Sequence, residues 1–432
     1  MLKIVGEIRD PVHGYISMTA LERDLIDTGT VQRLRRLKQL SGAYFTYPGA
    51  EHSRFLHSLG VMHVAGRIAL RFEERGYLTE DECQKVRVAG LLHDIGHGPF
   101  SHMYEEVLDK HRHMTHEDVT EWLIREGEIK DILASYGYSA EELSALAVGK
   151  LDVGEKVFLN QIIASQFGAD IMDYLVRDSY FAGAEYGNID IQRLISSLDV
   201  VDGRLAMDVA ALFALEAFVI ARYEMFKAVY FHRAVRAAEI MIVRAMDYAN
   251  EHLGFTSFRT PDEFLRLDDQ SVVQSLLGIK EPTDRRLEVA RQLADMYVNR
   301  RLFKAAHQTL YHRKDDLFAN IMNREDIRHQ LAKEIAEGAG VDPDYVVIDV
   351  PTVASVPYYP LQEKPSDLPV FRILPDGGKE LHALSEYSPI VTALIGYIDV
   401  LRVYTAPQYT NRVSEAAAKI LGRQPYSGRI TM

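Results

Sequence analysis

The sequence predicts a mostly α-helical protein with a smaller α+β lobe at its C-terminal end. Up to about residue 330, apolar residues recur at helical spacing in segments that end at glycine or begin at capping residues. From about residue 344 the pattern changes to short runs rich in β-branched and aromatic residues, YVVIDVPTV, PVFRIL, ELHAL and LRVYTA. Turn signals such as PDGG separate these runs, so we expect short strands there rather than helices.

The size and charge of the chain limit its class and its partners. Its 432 residues, 47% of them hydrophobic, are enough to build a large core. The net charge of −13 argues against stable binding to nucleic acid or to anionic membranes, because both require a surplus of Lys and Arg. The single cysteine, Cys83, excludes a disulfide framework and a thiolate-rich zinc site. We predict no signal peptide and no membrane span, and expect a cytoplasmic protein.

The helical segments follow one another along the first two thirds of the chain. TVQRLRRLKQL predicts an amphipathic helix with a basic polar face. HSLGVMHVAGRIALRFEERG predicts a helix from about His57 to Gly76, and EDECQKVRVAGLLHD predicts another. Further helices are predicted over MTHEDVTEWLIREG, NQIIASQFGADIMDYLVRDSYF and a long run from Met207 to about His252.

Residue types that bind metals are concentrated in LLHDIGHGPFSH, residues 91–102. His93 and Asp94 are neighbours at a predicted helix end, so both side chains can turn toward one ion. An isolated His-Asp pair is more often a capped helix end with a surface histidine, so further ligands are needed to indicate a metal site.

Two other positions supply candidate ligands. His57 lies near a predicted helix start, with Arg54 one turn before it. Asp170, Tyr174 and Asp178 occur at i, i+4 and i+8, so they share one side of a helix. The alternatives are a helix-capping role for Asp170 and a core aromatic role for Tyr174.

The order of these motifs resembles a known family. R-x-x-H, HD-x-GH-x-P-x-SH, HE and D-x-x-x-Y-x-x-R-D follow one another as in the HD-domain phosphohydrolases, in particular the branch of dNTP triphosphohydrolases that includes bacterial dGTPases. IRDPVHG at 8–14 and Y-x-H at 230–232 also match. The resemblance spans about residues 5–250 and implies an HD-domain helical core, which we place at 1–250. The residue pattern beyond it predicts a helical extension at 251–340 and the α+β lobe at 341–432.

The resemblance implies a catalytic metal site. Its ligands are His57, His93, Asp94 and Asp170, which leave open positions for water and a phosphate oxygen. A mixed set of imidazole and carboxylate suits a divalent ion such as Mn, Mg, Fe, Ni or Zn.

The resemblance also implies catalytic residues beside the metal. His102 matches a proton donor to the departing 5′ oxygen, and Glu105 matches the carboxylate that orients it. His97, His116 and Glu117 are expected on the phosphate side or at a second metal, although Glu117 could instead cap a helix.

Substrate contacts follow from the same comparison of motifs. The resemblance places contacts to sugar, base or phosphate at Arg54, Gln39, Tyr174, Asp178, Arg222, Tyr230 and His232. Ile171 stands where the related enzymes have a phosphate-contacting lysine, and Lys227 or Arg233 are candidates to replace that charge. We expect His111 and His113 to lie on a flexible loop.

A guanine-nucleotide activator site is implied in the N-terminal third. Asp27, Gln32 and Arg35 match the residues that read the guanine base at a subunit junction, whereas Gly6 stands where a phosphate-binding lysine is expected. The resemblance therefore implies a homo-oligomer, a dimer or tetramer. The alternative is a helix cap at Asp27 beside a solvated basic face.

The expected activity is hydrolysis of dNTPs to deoxynucleoside and triphosphate. An HD phosphodiesterase or a guanosine-tetraphosphate hydrolase would share the metal ligands, but the latter usually carries acidic residues where this chain has Ile95-Gly96-His97. A nucleotide-sensing scaffold without turnover is the third alternative. His102 and Glu105 argue against the scaffold, because it needs no proton donor.

Overall fold

The computed structural model describes residues 2–311, 321–322, 324–351, 368–394 and 399–422. Its helices are α1 (Ala20–Ile26), α2 (Gly29–Arg33), α3 (Arg54–Glu74), α4 (Glu80–Leu92), α5 (His102–Arg112), α6 (His116–Glu126), α7 (Glu128–Ser135), α8 (Ala140–Ala147), α9 (Phe158–Ile163), α10 (Ala169–Ala182), α11 (Ile191–Ser197), α12 (Leu212–Met225), α13 (Arg233–Leu253), α14 (Pro261–Leu265), α15 (Asp269–Leu277), α16 (Arg285–Val298), α17 (Glu325–Ala339), α18 (Pro389–Leu394) and α19 (Thr410–Ile420). Its strands are β1 (Ile4–Asp10), β2 (Gly14–Thr19), β3 (Leu198–Val201), β4 (Arg204–Asp208), β5 (Lys304–Tyr311), β6 (Val346–Asp349), β7 (Pro369–Ile373), β8 (Lys379–Ala383) and β9 (Asp399–Thr405). The prediction of a mostly helical protein with a smaller strand-containing C-terminal lobe is confirmed.

The core of the helical body is built around α3, which packs against α4 and α10. Val61, Val64 and Ile68 on α3 are fully buried, as expected for a helix covered on several sides. At Gly60 a Cβ atom would lie 1.9 Å from Oδ1 of Asp173 on α10, so glycine allows these two helices to approach closely. This close approach brings α10 against the part of α3 that carries His57.

Three sheets complete the fold. β1 and β2 form an antiparallel hairpin near the N-terminus. A four-stranded sheet has the order β3-β4-β7-β8, in which β4 and β7 run parallel with Met207 paired to Val370. A three-stranded antiparallel sheet has the order β5-β9-β6. Each larger sheet therefore joins strands of the C-terminal lobe to strands that precede residue 340 in the chain. The domain boundaries expected at 250 and 340 stay predictions.

Several predicted helices differ in extent from the observed ones. The helix predicted over TVQRLRRLKQL ends at Arg33, and a 3₁₀ turn covers Leu34–Arg36. The chain then becomes extended at Leu37, and Lys38 forms a β-bridge with Ser53. This long-range pairing ends the helix although the apolar spacing continues.

The two longer predicted helices are interrupted. The segment from NQIIA to RDSYF divides into α9 and α10 because the chain turns just before α10. The turn requires glycine at position 168, since a Cβ atom there would lie 2.4 Å from the carbonyl oxygen of Ile163. The run from Met207 begins as β4 and continues as α12, a π-helical turn at Phe226–Tyr230 and α13. α5 extends to Arg112, so His111 lies on a helix and not on the predicted loop.

Candidate active site

The four predicted metal ligands lie together where α3, the end of α4 and the start of α10 meet. His57 Nε2 lies 3.1 Å from Asp170 Oδ1 and 3.7 Å from Asp94 Oδ2. His93 Nε2 lies 3.2 Å from Asp94 Oδ1 and 3.9 Å from Asp170 Oδ1. Two imidazole nitrogens and two carboxylates therefore converge on one small volume.

The outer nitrogens of both imidazoles are bound by acceptors. His57 Nδ1 lies 2.8 Å from Asp173 Oδ2, and His93 Nδ1 lies 2.9 Å from the carbonyl oxygen of Gly90. Since a carboxylate and a carbonyl can only accept, each Nδ1 donates its proton outward and each Nε2 is the nitrogen that faces the cluster. His93 Nε2 is buried and has no hydrogen-bond partner in the described part of the chain. This donor set and its orientation fit a divalent cation.

A buried hydrogen-bonded network supports His57 from behind. Asp173 lies 2.6 Å from His13 Nε2 and accepts hydrogen bonds from Arg177. Arg177 also donates to Asp10, and the Asp10 carboxylate accepts the backbone amide of His13. The turn between β1 and β2 is thereby connected to the metal-ligand cluster through Asp173.

The electrostatics of the cluster favour ionised carboxylates. Burial opposes ionisation of Asp94, but His93 and Arg54 outweigh it and hold the pKa of Asp94 well below its usual value. Burial also opposes the protonation of His57, yet hydrogen bonds to Asp170 and Asp173 raise its pKa to about 10. The site therefore concentrates negative charge that a cation would neutralise.

The predicted catalytic residues form a second group beside the ligands. His97 Nε2 lies 3.3 Å from Asp94 Oδ1, and the His97 ring stacks on His116 at 4.0 Å between ring centroids. Glu105 Oε2 lies 2.7 Å from His116 Nδ1 and 3.5 Å from His102 Nδ1. The shorter contact of Glu105 is with His116, whereas the sequence predicted only the pairing with His102.

The charges of this group are set by mutual pairing. Burial would raise the pKa of Glu105, but hydrogen bonds to His102 and His116 outweigh it and hold that pKa far below its usual range. Burial would lower the pKa of His116, but the hydrogen bond to Glu105 raises it. By contrast, burial and the nearby Arg54 keep the pKa of His97 well below its usual value. His102 is the exposed member, with 66% of its side chain accessible.

Arg54 joins the two groups. Its Nη1 donates to Asp94 Oδ2 at 2.5 Å, and its Nε donates to Ser101 Oγ at 2.7 Å. The side chain is 3% exposed, so its charge is held within the site and not in solvent.

Four of the predicted substrate residues also lie near one another. Asp178 accepts a hydrogen bond from Tyr230 at 2.7 Å, and its other oxygen lies 2.8 Å from His52 Nε2. The rings of Tyr174 and Tyr230 are 6.4 Å apart. The charge of Arg222 acts on the hydroxyl groups of both tyrosines, and its Nε and Nη1 have no hydrogen-bond partner among the described residues. The guanidinium lies 5.6 Å from the centroid of the Phe226 ring, and its two buried nitrogens without a hydrogen bond are available to an anionic ligand.

The other predicted substrate residues are placed differently. Oε1 of Gln39 is buried without a hydrogen-bond partner in the described ranges. His232 contacts Thr46 and the ring of Tyr47, and it caps the start of α13. Ile171 is 3% exposed and belongs to the apolar core.

The two candidate replacement cations for Ile171 lie in the π-helical turn and at the start of α13. Lys227 lies over the ring of Tyr223, and Arg233 is the first residue of α13. Glu117 pairs with Lys150 at 2.8 Å, and His111 lies 2.9 Å from Asp247.

The predicted activator residues lie around the short helix α2. Gln32 accepts a hydrogen bond from Arg35 at 2.7 Å and donates to the carbonyl oxygen of Ile26. Arg35 is exposed and lies over the ring of Phe55 at 3.6 Å. Asp27 is an exposed residue that caps the end of α1.

Several residues that support the site had no role predicted from the sequence. These are Asp10, His13, His52, Asp173, Arg177 and Asp269. His13 and Asp10 belong to IRDPVHG, one of the motifs that resemble the family, so the sequence pointed to this segment without giving either residue a role. Asp173 is three residues after Asp170, which places it on a neighbouring side of α10.

The comparisons define the class to which this site belongs. Residues 54–178 match the model of the HD domain, and residues 189–427 match that of the HD associated region. The chain belongs to the HD-domain phosphohydrolase family, whose members depend on metal ions.

Particular relatives cover most of the chain. It is 30% identical to the uncharacterized protein YwfO of Bacillus subtilis, over 90% of this chain and 89% of that protein. It is 34% identical to the deoxynucleoside triphosphate triphosphohydrolase SAMHD1 homolog of Dictyostelium discoideum, over 69% of this chain and 59% of that protein. The chain is thus similar both to a protein of its own length and to part of a longer one.

Solved structures share the fold. A hypothetical protein from Aquifex aeolicus has a TM-score of 0.75 and 32% identity, covering 96% of this chain and all of that one. A phosphohydrolase from Bacteroides thetaiotaomicron has a TM-score of 0.72 and 26% identity, covering 94% of this chain. Among the described residues, we find no helix with the length and apolar character needed to span a bilayer.

Proposed function

We propose that the protein is a metal-dependent deoxynucleoside triphosphate triphosphohydrolase, which releases a deoxynucleoside and triphosphate. One observation carries this proposal: the ligand cluster of His57, His93, Asp94 and Asp170 lies directly beside the group formed by His97, His102, Glu105 and His116. The similarity to dNTP triphosphohydrolases supports this choice of substrate class.

The ligand residues would hold one divalent cation. When bound, such an ion polarises a phosphate oxygen and lowers the pKa of a coordinated water. Asp173 and the Gly90 carbonyl accept hydrogen bonds from the Nδ1 atoms, so the Nε2 atoms of His57 and His93 would be directed to the ion, which would displace the proton from Nε2 of His57.

His102 is the proposed proton donor to the departing 5′ oxygen. Its exposed imidazole is accessible to a bound substrate, and Glu105 lies close enough to orient it. His116, which Glu105 favours in the protonated state, would bind a phosphate oxygen. His97 remains neutral because of burial, and its ring supports that of His116.

The nucleoside would lie toward α10 and the end of α12. Asp178 is fixed by His52 and Tyr230 and can accept a hydrogen bond from a sugar hydroxyl. Tyr174 offers an aromatic surface, and the unpartnered guanidinium nitrogens of Arg222 would bind phosphate oxygens. Binding of a guanine-nucleotide activator at Asp27, Gln32 and Arg35, and assembly into an oligomer, belong to the same proposal.

The test is to incubate purified protein with each dNTP and with either Mn²⁺ or Mg²⁺, and to identify the products by ion-exchange chromatography. We expect deoxynucleoside and intact triphosphate. Release of pyrophosphate or of inorganic phosphate, or no turnover of any dNTP, would contradict the proposal. Asp94→Ala provides the negative control for a contaminating phosphatase.

A further inference from the structure

Two consecutive residues before the proposed proton donor have a backbone conformation that side chains disfavour. Phe100 has φ of 58°, and Ser101 has φ of 60° with ψ of −122°. Such a conformation is unfavourable for a residue with a side chain, and it persists only where surrounding contacts enforce it. His102 follows directly as the first residue of α5, so this loop determines where its imidazole lies.

Both residues are buried and bound by polar contacts. Phe100 is 3% exposed and Ser101 is 2% exposed. The carbonyl oxygen of Phe100 accepts a hydrogen bond from Ser41 at 2.9 Å. Ser101 Oγ donates to the Lys38 carbonyl at 3.1 Å and accepts from Arg54. The loop is therefore held against the segment that follows α2.

A further contact comes from a carboxylate far away in sequence. Asp269, at the start of α15, accepts the backbone amide of Phe100 at 2.7 Å on Oδ1. Its Oδ2 accepts the backbone amide of Lys38 at 2.9 Å. The Asp269 carboxylate thus joins two separate chain segments, because each of its oxygens accepts a hydrogen bond from a backbone amide of one segment.

The charge of Asp269 suits this arrangement. The side chain is buried, and it has no role in the proposed reaction. Burial raises its pKa to about 6 against the two amide hydrogen bonds, so at neutral pH it is ionised and both oxygens can accept.

We propose that Asp269 is a positioning residue, which places His102 for catalysis by binding the Phe100 amide and holding the Phe100–Ser101 loop in its disfavoured conformation. This inference rests on the proposed function, because His102 must take part in turnover for its position to matter. An asparagine at this position keeps the size of the side chain but turns one acceptor into an NH₂ group that faces a backbone amide.

The first test is Asp269→Asn in steady-state hydrolysis of the best dNTP substrate. We expect kcat to fall about 10- to 100-fold, because a displacement of order 1 Å has effects of that size, while KM and metal content change little. Asp268→Asn is the control, since Asp268 is the neighbouring N-cap, its ion pair is with the side chain of Arg36, the amides of Phe100 and Lys38 are bound by Asp269, and asparagine is an equally good cap. Unchanged kcat in Asp269→Asn would overturn the proposal.

The second test asks whether Asp269 acts through His102. Adding Asp269→Asn to His102→Ala should cause no further loss, because a misplaced donor no longer matters once the donor is absent. Multiplicative losses would show a general structural effect and would reject the positioning role.

A third measurement does not depend on activity. Hydrogen exchange at the Phe100 and Lys38 amides should be slow in the wild type, fast in Asp269→Asn and slow in Asp268→Asn. If the wild type hydrolyses no dNTP, the proposed function fails, and this measurement still decides whether Asp269 holds the loop. Equal exchange in all three proteins would reject that contact.

Discussion

Asp173 accepts a hydrogen bond from Nδ1 of His57 at 2.8 Å, and this contact fixes the nitrogen that His57 presents to the other ligands. The carboxylate is fully buried and is itself held by His13 and Arg177. The orientation of a metal ligand is therefore determined by residues that do not contact the metal.

Asp173→Asn should weaken metal binding. Either the amide NH₂ faces His57 Nδ1 or a weaker neutral acceptor replaces the carboxylate, and such changes typically reduce metal affinity about 10- to 100-fold. Competition titration with a chromophoric chelator measures the affinity directly. Asp199→Asn is the control, because Asp199 is a buried carboxylate that pairs with Arg75 and Lys379 away from the site. Equal affinity in both variants and the wild type would show that Asp173 does not orient the ligand.

Removal of a proposed metal ligand should abolish turnover. Asp94→Ala or His57→Ala leaves fewer donors and an unbalanced buried charge, so the metal content measured by mass spectrometry should fall together with activity. Asp376→Ala, in an exposed turn, should retain both. Full activity after treatment with a chelator would contradict metal dependence.

His102→Ala should separate catalysis from metal binding. We expect turnover to fall about 10²- to 10⁴-fold, the usual range for a positioned proton donor, with the metal content of the wild type. The exposed His102 side chain makes large structural damage improbable, and circular dichroism can verify the fold. Loss of the metal in this variant would instead make His102 a ligand.

Partly buried His63 should make the protein less stable in mild acid. Burial lowers the pKa of His63 to about 4, so between pH 6.5 and 4 the unfolded chain binds a proton that the folded chain does not. The free energy of unfolding should therefore decrease as pH falls through this window, and the full contribution is present above pH 6.5.

The size of this decrease in the free energy of unfolding follows from the pKa shift of His63. The full difference corresponds to about 3 kcal/mol, and partial exposure of the side chain reduces it. Urea titrations of His63→Gln should show a shallower decrease between pH 6.5 and 4 than the wild type. His252→Gln, at an exposed histidine, should follow the wild type. Parallel curves for all three proteins would contradict this assignment.

A guanine nucleotide bound at the proposed site around α2 should accelerate the hydrolysis of dNTPs. Asp27 can accept two hydrogen bonds from a guanine edge, and the exposed guanidinium of Arg35 can bind phosphate. We would measure dATP hydrolysis with and without GTP in the wild type and in Asp27→Ala. Stimulation should occur only in the wild type, and equal rates in all four conditions would remove the activator site.

Local sequence patterns predicted the ligand cluster but not its support. His93 and Asp94 are adjacent, and His57 and Asp170 each belong to a short motif, but only the resemblance of these motifs, in this order, to a known family indicated one ligand set. The contact of Asp269 with Phe100 joins residues far apart in the chain, and nothing in the spacing of either residue indicates it.

The fold features that the sequence did not predict also depend on residues far apart in the chain. The strands β1 and β4 lie in segments that were predicted as helical or left unassigned, because their pairing partners, and not their own periodicity, define them. The end of α2 at Arg33 similarly depends on the bridge between Lys38 and Ser53. Helices with long apolar faces, such as α3, needed no such partner and were predicted closely.

The parallel pairing of β4 with β7 has a consequence for biosynthesis. Met207 leaves the ribosome long before Val370. The edge of β4 that pairs with β7 therefore stays unpaired while α12, α13 and the segments up to α17 emerge. Folding of this sheet is therefore delayed until translation is nearly finished. Nascent chains that stall between these two strands should be prone to aggregation, and they would be expected to need chaperone protection even though the ligand cluster is already complete.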